Sequence, residues 1–167
     1  MEKRPCGGFD YAEMFGKIRT NASEKDFDWL KKKAEEGNDH IAQNMVGLLY
    51  NSGILVEADP EAAIYYFYKS AELGNGLGQF NLAQYYYKGI GTEQSYRDAF
   101  YWYKKSAEQG YMLAQYNLGV CYLNAEGTAR NIHAAYTWFK LAADQGYQEA
   151  INVLKQPEFA EYVKDKK

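Results

Sequence analysis

The 167-residue chain is 47% hydrophobic and 17% aromatic, with 17 tyrosines and a formal net charge of −3. Such content supports an extensive core and excludes a disordered chain, while the slightly acidic balance lacks the basic footprint of a nucleic-acid binder. Two isolated cysteines, Cys6 and Cys121, make no disulfide framework. The opening MEKRPCGGFDYAEMF holds no apolar signal core, and no apolar run reaches membrane-spanning length, so a cytoplasmic location is expected, with no membrane partner.

In chain order, residues 1–8 carry Pro5, Gly7 and Gly8 and read as irregular. A weak helical stripe follows at Phe9, Met14, Phe15 and Ile18. Ser23 with Asp26 forms a capping-box pattern that opens a helix through Phe27, Trp29, Leu30 and Ala34, ended by Gly37. Helices are then predicted near 39–51, 60–73, 76–88, 95–109, 111–124, 131–145 and 147–155. A last one, roughly 158–165, follows Pro157, with Phe159 and Val163 covering the exposed end.

These elements repeat with a period of 36. Small residues recur at Ala42, Gly78, Ala114 and Ala150, and again at Gly47, Ala83 and Gly119. An aromatic follows at Tyr50, Tyr86 and Tyr122. Each second helix has Ala63, Ala99 or Ala135, then Tyr66, Trp102 or Trp138, and closes at Gly74, Gly110 or Gly146. Within a helix, positions three, four and seven apart share a face. The small sites therefore predict close approach of two backbones, with the large aromatic filling the remaining space. Asp59 (before Pro60), Ser95 and Asn131 are the expected N-caps of the second helices, and the closing glycines suit the left-handed position after a helix.

The stretches AQYNLGVCYLNAEG with AAYTWFKLAADQG, GQFNLAQYYYKGIG with AFYWYKKSAEQG, and the more divergent AQNMVGLLYNSGIL with AAIYYFYKSAELG resemble the Sel1-like repeat family. Ala83 stands for the helix glycine, Ala125 and Leu55 for loop glycines, and Tyr66 for tryptophan. The resemblance covers 38–156, and degenerately 24–37. It implies an all-α fold, an α/α solenoid related to tetratricopeptide arrays, with three full repeats plus partial capping helices. The expected division is a segment 1–23 with a candidate capping helix, a solenoid 24–156 (units 38–74, 75–110, 111–146 and partial 147–156), and a capping helix and tail at 157–167. The resemblance also implies partner binding without intrinsic catalysis. Some secreted bacterial members carry a disulfide across each unit, and this sequence lacks those paired cysteines.

Candidate chemistry is sparse. Cys121 reads as a small core hydrophobe beside Tyr122. His40 and His133 are far apart in the repeat frame and supply neither a metal cluster nor a triad, so no metal, cofactor or catalytic residue is assigned. Gly74, Gly76 and Gly78 follow a helix, without the lysine of a phosphate loop. The lysines ending the second helices interleave with carboxylates, as a solvated outer face does.

One face remains for function. By analogy with tetratricopeptide geometry, the first helix of each unit lines a concave groove. That groove takes in Ile41, Asn44 and Leu48; Leu77, Phe80, Gln84 and Tyr87; and Leu113, Tyr116, Val120 and Leu123, with Asn81 and Asn117 at its border. Phe80, Tyr87 and Tyr116 are the expected anchors for a protein or peptide partner, with amides for its backbone. The expected function is a non-enzymatic scaffold or adaptor, monomeric or weakly dimeric. The alternative is a dedicated inhibitor or immunity protein of one bacterial toxin or enzyme. A hydrolase ranks behind both, for want of a clustered nucleophile and base.

Overall fold

The computed structural model describes residues 24–164, with side chains from 25 to 162. The stripe at Phe9–Ile18, Cys6, the cap at Ser23 and the side chain of Val163 lie outside what it describes. Among the described residues there are helices and no strands. They run α1 (Glu24–Glu36), α2 (His40–Ser52), α3 (Pro60–Glu72), α4 (Gly76–Lys88), α5 (Tyr96–Glu108), α6 (Met112–Asn124), α7 (Ile132–Asp144) and α8 (Gln148–Val153). A 3₁₀ turn, Pro157–Phe159, leads into α9 (Ala160–Lys164). Each of α1 to α7 has 13 residues, so the period seen in the sequence is a period of length as well as of pattern.

The expected caps form. Asp59 Oδ1 accepts from Ala62 N at 2.9 Å, Ser95 Oγ from Asp98 N at 3.2 Å, and Asn131 Oδ1 from Ala134 N at 2.9 Å. Each satisfies an N–H that the first turn leaves without a helical partner. Asp39 and Asn75 cap α2 and α4 in the same way, whereas Tyr111 and Tyr147 stand at the equivalent places without a side-chain cap. The loop inside each unit is held by one recurring bond, to the carbonyl of Tyr50, Tyr86 or Tyr122 from the N–H of Asp59, Ser95 or Asn131.

Packing is sequential: each helix from α1 to α8 lies against the next, and α2 also touches α4. The core is a chain of clusters. Phe27, Leu30, Val46 and Tyr66 join α1 to α3. Phe67, Leu82, Tyr103, Leu118 and Cys121 join α3 to α6. Phe139, Ala150 and Phe159 close the far end, with Phe159 fully buried as an end cap. A linear array buries surface only between neighbours, so its two ends need such covers.

The small sites do bring backbones together, but the ring that covers them is one residue later than the sequence pattern suggests. A Cβ on Gly47 would lie 2.7 Å from Phe67, and one on Gly119 2.7 Å from Phe139. Tyr66 and Trp102 meet other rings instead. Tyr66 stacks on Tyr50 with centroids 5.8 Å apart, and Trp102 meets the ring of Tyr68 edge-on at 6.3 Å.

The first-helix face as a candidate interface

Eleven residues are expected on the groove, and the structure places them at three depths. Leu77 and Leu113 are exposed, at 38% and 41%, as is Ile41 at 39%. These three stand one period apart, at the second position of α2, α4 and α6. Leu48, Gln84, Tyr87, Tyr116, Val120 and Leu123 are half-buried. Asn44 and Phe80 are buried, at 3% and 7%.

The burial of Phe80, an expected anchor, has a local cause. Its ring lies 6.1 Å from that of Tyr103, inside the cluster joining α3 to α6, so it is core rather than open surface. Asn44 is covered by the next unit, and its Oδ1 accepts from Asn81 Nδ2 at 2.9 Å. Tyr87 leans on Tyr96 and Tyr103, and its hydroxyl donates to Glu126 at 3.1 Å. Burial and the Glu126 carboxylate push that phenol up to about 12. Tyr116 is wedged between Phe139 and Tyr147, with ring centroids at 5.4 and 5.0 Å. What stays open is the aliphatic row at the helix starts, with the half-buried flanks of Leu48, Gln84, Tyr87, Tyr116, Val120 and Leu123.

The charge pattern sharpens the contrast between faces. Neither α2 nor α6 contains a lysine, arginine, aspartate or glutamate, and α4 contains only Lys88. The charges sit on the second helices. There Lys69 and Lys105 lie over the rings of Tyr65 and Tyr101 at 5.3 and 5.5 Å, and Lys104 and Lys140 pair with Glu108 and Asp144. Tyr65, Tyr68 and Tyr101 are also exposed there. The second helices therefore present a mixed aromatic and ionic surface, and the first helices, Lys88 apart, an uncharged one.

A set of buried amides escaped sequence reading. Gln43, Gln79 and Gln115, one period apart and at most 5% exposed, donate from Nε2 to the carbonyls of Ala34, Ala71 and Ala107 at 3.1, 3.2 and 3.4 Å. Each bonds a C-terminal carbonyl that the preceding helix leaves over. Gln109 and Gln145 complete the ladder, donating to the Oε1 of Gln79 and Gln115 at 2.8 Å each. The first unit has Leu73 at that position, and Gln43 Oε1 has no protein donor. The signal in the sequence is a glutamine directly after each first small residue, at positions 43, 79 and 115.

Cys121 is 1% exposed, and burial, with Glu126 adding to it, pushes its thiol up to about 12. His40 contacts Asn75 Nδ2 through its Nδ1 at 2.8 Å, while His133 faces Tyr162. Among the described residues no group of His, Cys, Asp and Glu is placed to hold a metal ion, and no helix is long and apolar enough to cross a membrane. The expected core place of Cys121 is what the structure shows.

A series of equal helix pairs packed in sequence, capped at one end by Phe159 and linked by an amide ladder, defines a helical-repeat solenoid. The Sel1 repeat model matches residues 40–75, 76–111 and 113–147, and the chain belongs to that family. Solved structures agree. A protective antigen of uropathogenic Escherichia coli strains, described as displaying an SLR fold, is 33% identical with a TM-score of 0.74. A Sel1 repeat protein from Oxalobacter formigenes is 28% identical with a TM-score of 0.71. The alignments cover 76% and 78% of this chain but only 27% and 53% of those proteins. Helicobacter pylori cysteine rich protein B shares the fold over 89% of this chain and 99% of its own, at 22% identity and a TM-score of 0.59. No protein of curated function matches the chain.

Proposed function

We propose that the chain is a non-enzymatic scaffold that holds a protein or peptide partner on its first-helix face. The observation that carries this is the row Ile41, Leu77 and Leu113, exposed on helices that hold one charged residue among them. About two-fifths of each of these side chains is exposed, and solvent disfavours that part. Exposed apolar side chains recurring at one position of successive units support an interaction site there. Repeat arrays of this family are generally protein-interaction scaffolds, which supports the same reading.

The test is capture of partners by purified chain carrying Leu77→Glu with Leu113→Glu, beside Tyr101→Glu on the outer face. Both variants change exposed positions and are expected to keep wild-type helicity by circular dichroism. The first is expected to lose specific partners and the second to keep them. Retention of every partner by the double variant would remove the first-helix face from consideration.

A further inference from the structure

We infer that Tyr68 and Glu72 of α3 together bind an arginine side chain of a partner protein, its guanidinium lying against the Tyr68 ring and pairing with the Glu72 carboxylate. The site belongs to a second helix and is independent of the first-helix reading above.

Two kinds of side-chain pair, each four residues apart, recur along α1, α3, α5 and α7. In the first kind a lysine lies over an aromatic ring: Lys33 over Trp29, Lys69 over Tyr65 and Lys105 over Tyr101, at 5.7, 5.3 and 5.5 Å. In the second kind a lysine pairs with a carboxylate: Lys32 with Glu36, Lys104 with Glu108 and Lys140 with Asp144, at 3.8, 3.9 and 2.6 Å. Side chains at this spacing are neighbours on one helix face, and these pairs show that they reach one another here.

The second kind fails in α3. One period from Lys32 and Lys104 stands Tyr68, and one period from Glu36 and Glu108 stands Glu72. Tyr68 and Glu72 are thus the aromatic half of one kind of pair and the acidic half of the other, and both lack the same member, a cation. Among the described residues no lysine or arginine lies over Tyr68 or pairs with Glu72. Lys69, the next residue, lies over Tyr65 instead.

The contact with Trp102 accounts for part of Tyr68 only. The two rings meet edge to face, with centroids 6.3 Å apart and planes at 81°, and 45% of Tyr68 stays exposed. Glu72, the last residue of α3, is exposed too. A lysine at position 68 would complete the ion pair as in the neighbouring units; the tyrosine forgoes it and leaves a ring and an unpaired carboxylate side by side in water. That combination complements a guanidinium, which stacks on aromatic rings and presents a planar fork of donors to a carboxylate. An ammonium, a compact and strongly hydrated point charge, matches it less well. A partner's arginine would supply in trans the cation that Lys32, Lys104 and Lys140 supply in cis.

The experiment titrates the ¹⁵N-labelled full chain with acetyl-Gly-Arg-Gly-amide and follows the backbone amides of residues 68 and 72 and the indole N–H of Trp102. Saturable shifts centred on these groups are expected. The same probe with citrulline, the neutral counterpart of arginine, is expected to give none, and the lysine probe to bind more weakly. Tyr68→Leu keeps an apolar contact with Trp102 and removes the aromatic ring, while Glu72→Gln keeps the size and removes the charge. Each is expected to weaken binding about two- to fivefold. Tyr68→Lys restores the ion pair within the helix and is expected to abolish binding, whereas Leu113→Glu, on the first-helix row, leaves it unchanged.

Absence of saturable shifts at residues 68 and 72 of the wild-type chain overturns the site. Equal binding of the citrulline probe, or full affinity in Glu72→Gln, shows that charge plays no part and overturns it as well. Full affinity in Tyr68→Leu removes the ring from the site, and a leucine probe that binds as tightly as the arginine one makes the surface a plain apolar contact; either result refutes the inference.

Discussion

Replacing Leu73 by glutamine should stabilise the protein. In the second and third units, Gln109 and Gln145 donate to the buried Oε1 of Gln79 and Gln115. In the first unit Leu73 leaves Gln43 Oε1 without a protein donor, in a residue with no solvent exposure. The backbone already fits: Leu73 has φ −79° and ψ 7°, against −84° and 2° for Gln109 and −86° and 0° for Gln145. An unsatisfied buried acceptor costs about 1–3 kcal/mol, and a made hydrogen bond nets about 1 kcal/mol. Against this stands lost apolar burial, which is small because Leu73 is 41% exposed and the glutamine stem replaces much of it. The net expectation is a gain of about 1 kcal/mol, or a rise of roughly 2–4 °C in Tm for a chain of this size. Thermal unfolding followed by circular dichroism measures it. The decisive control repeats the substitution in a Gln43→Met background, where no acceptor waits and the gain should vanish. A gain that survives there, or a neutral Leu73→Gln, refutes the ladder as a source of stability.

Ala125 ends α6 at φ 61°, a left-handed conformation that costs a residue with a Cβ about 1–2 kcal/mol. Ala125→Gly is therefore expected to raise stability by about 0.5–1 kcal/mol in urea unfolding, since the more flexible unfolded chain takes back part of the relief. Stability should also fall at alkaline pH. Cys121 moves from an ordinary 9.0 to about 12, and burial raises Tyr85, Tyr86, Tyr87 and Tyr103 above their ordinary 10.0. The folded state keeps protons that the unfolded chain releases, so this stability is intact below about pH 9 and is lost as pH climbs through the folded values near 12. Urea midpoints that stay level across that window would contradict it. In a Cys6→Ser variant, Cys121 should react with a maleimide only as fast as the protein opens, and quickly once urea unfolds it.

Repeat architecture was legible because thirteen-residue helices, caps and closing glycines recur at one period, and many weak signals in register make a strong one. Depth along the groove was not legible in the same way. Asn44, Phe80 and Tyr116 occupy the same position in successive units, yet two are buried and one is half-buried. The period says which helix face a residue shares; the ring across from it says whether that face is open. For Phe80 that ring is Tyr103, on the next helix of the same unit, and for Asn44 the cover is Asn81 from the next unit. The covering rings were misplaced by one residue for a related reason. Phe67 and Phe139 sit directly over the helix glycines, while the more conspicuous Tyr66 and Trp138 stand one residue before them. The glutamine ladder was overlooked because glutamine is ordinarily a surface residue, and only the leftover carbonyls of the preceding helix make it worth burying.

These depths bear directly on function. Substituting Phe80 would disturb the cluster joining α3 to α6 and so confound binding with folding, at a cost typical of about 3–5 kcal/mol for a buried phenylalanine reduced to alanine. Leu77, three residues away on the same helix, is exposed and can be changed to a charge at little structural cost. The aliphatic row, rather than the aromatic anchors, is therefore where loss of a partner reports on recognition alone. Ile41, Leu77 and Leu113 leave about two-fifths of their surface in water at three successive units, on helices that otherwise hold a single charge, and that exposed part adds nothing to the packing. On the proposed reading, a partner that covers this row removes that area from water, and the free energy so gained is what the charged substitutions would take away.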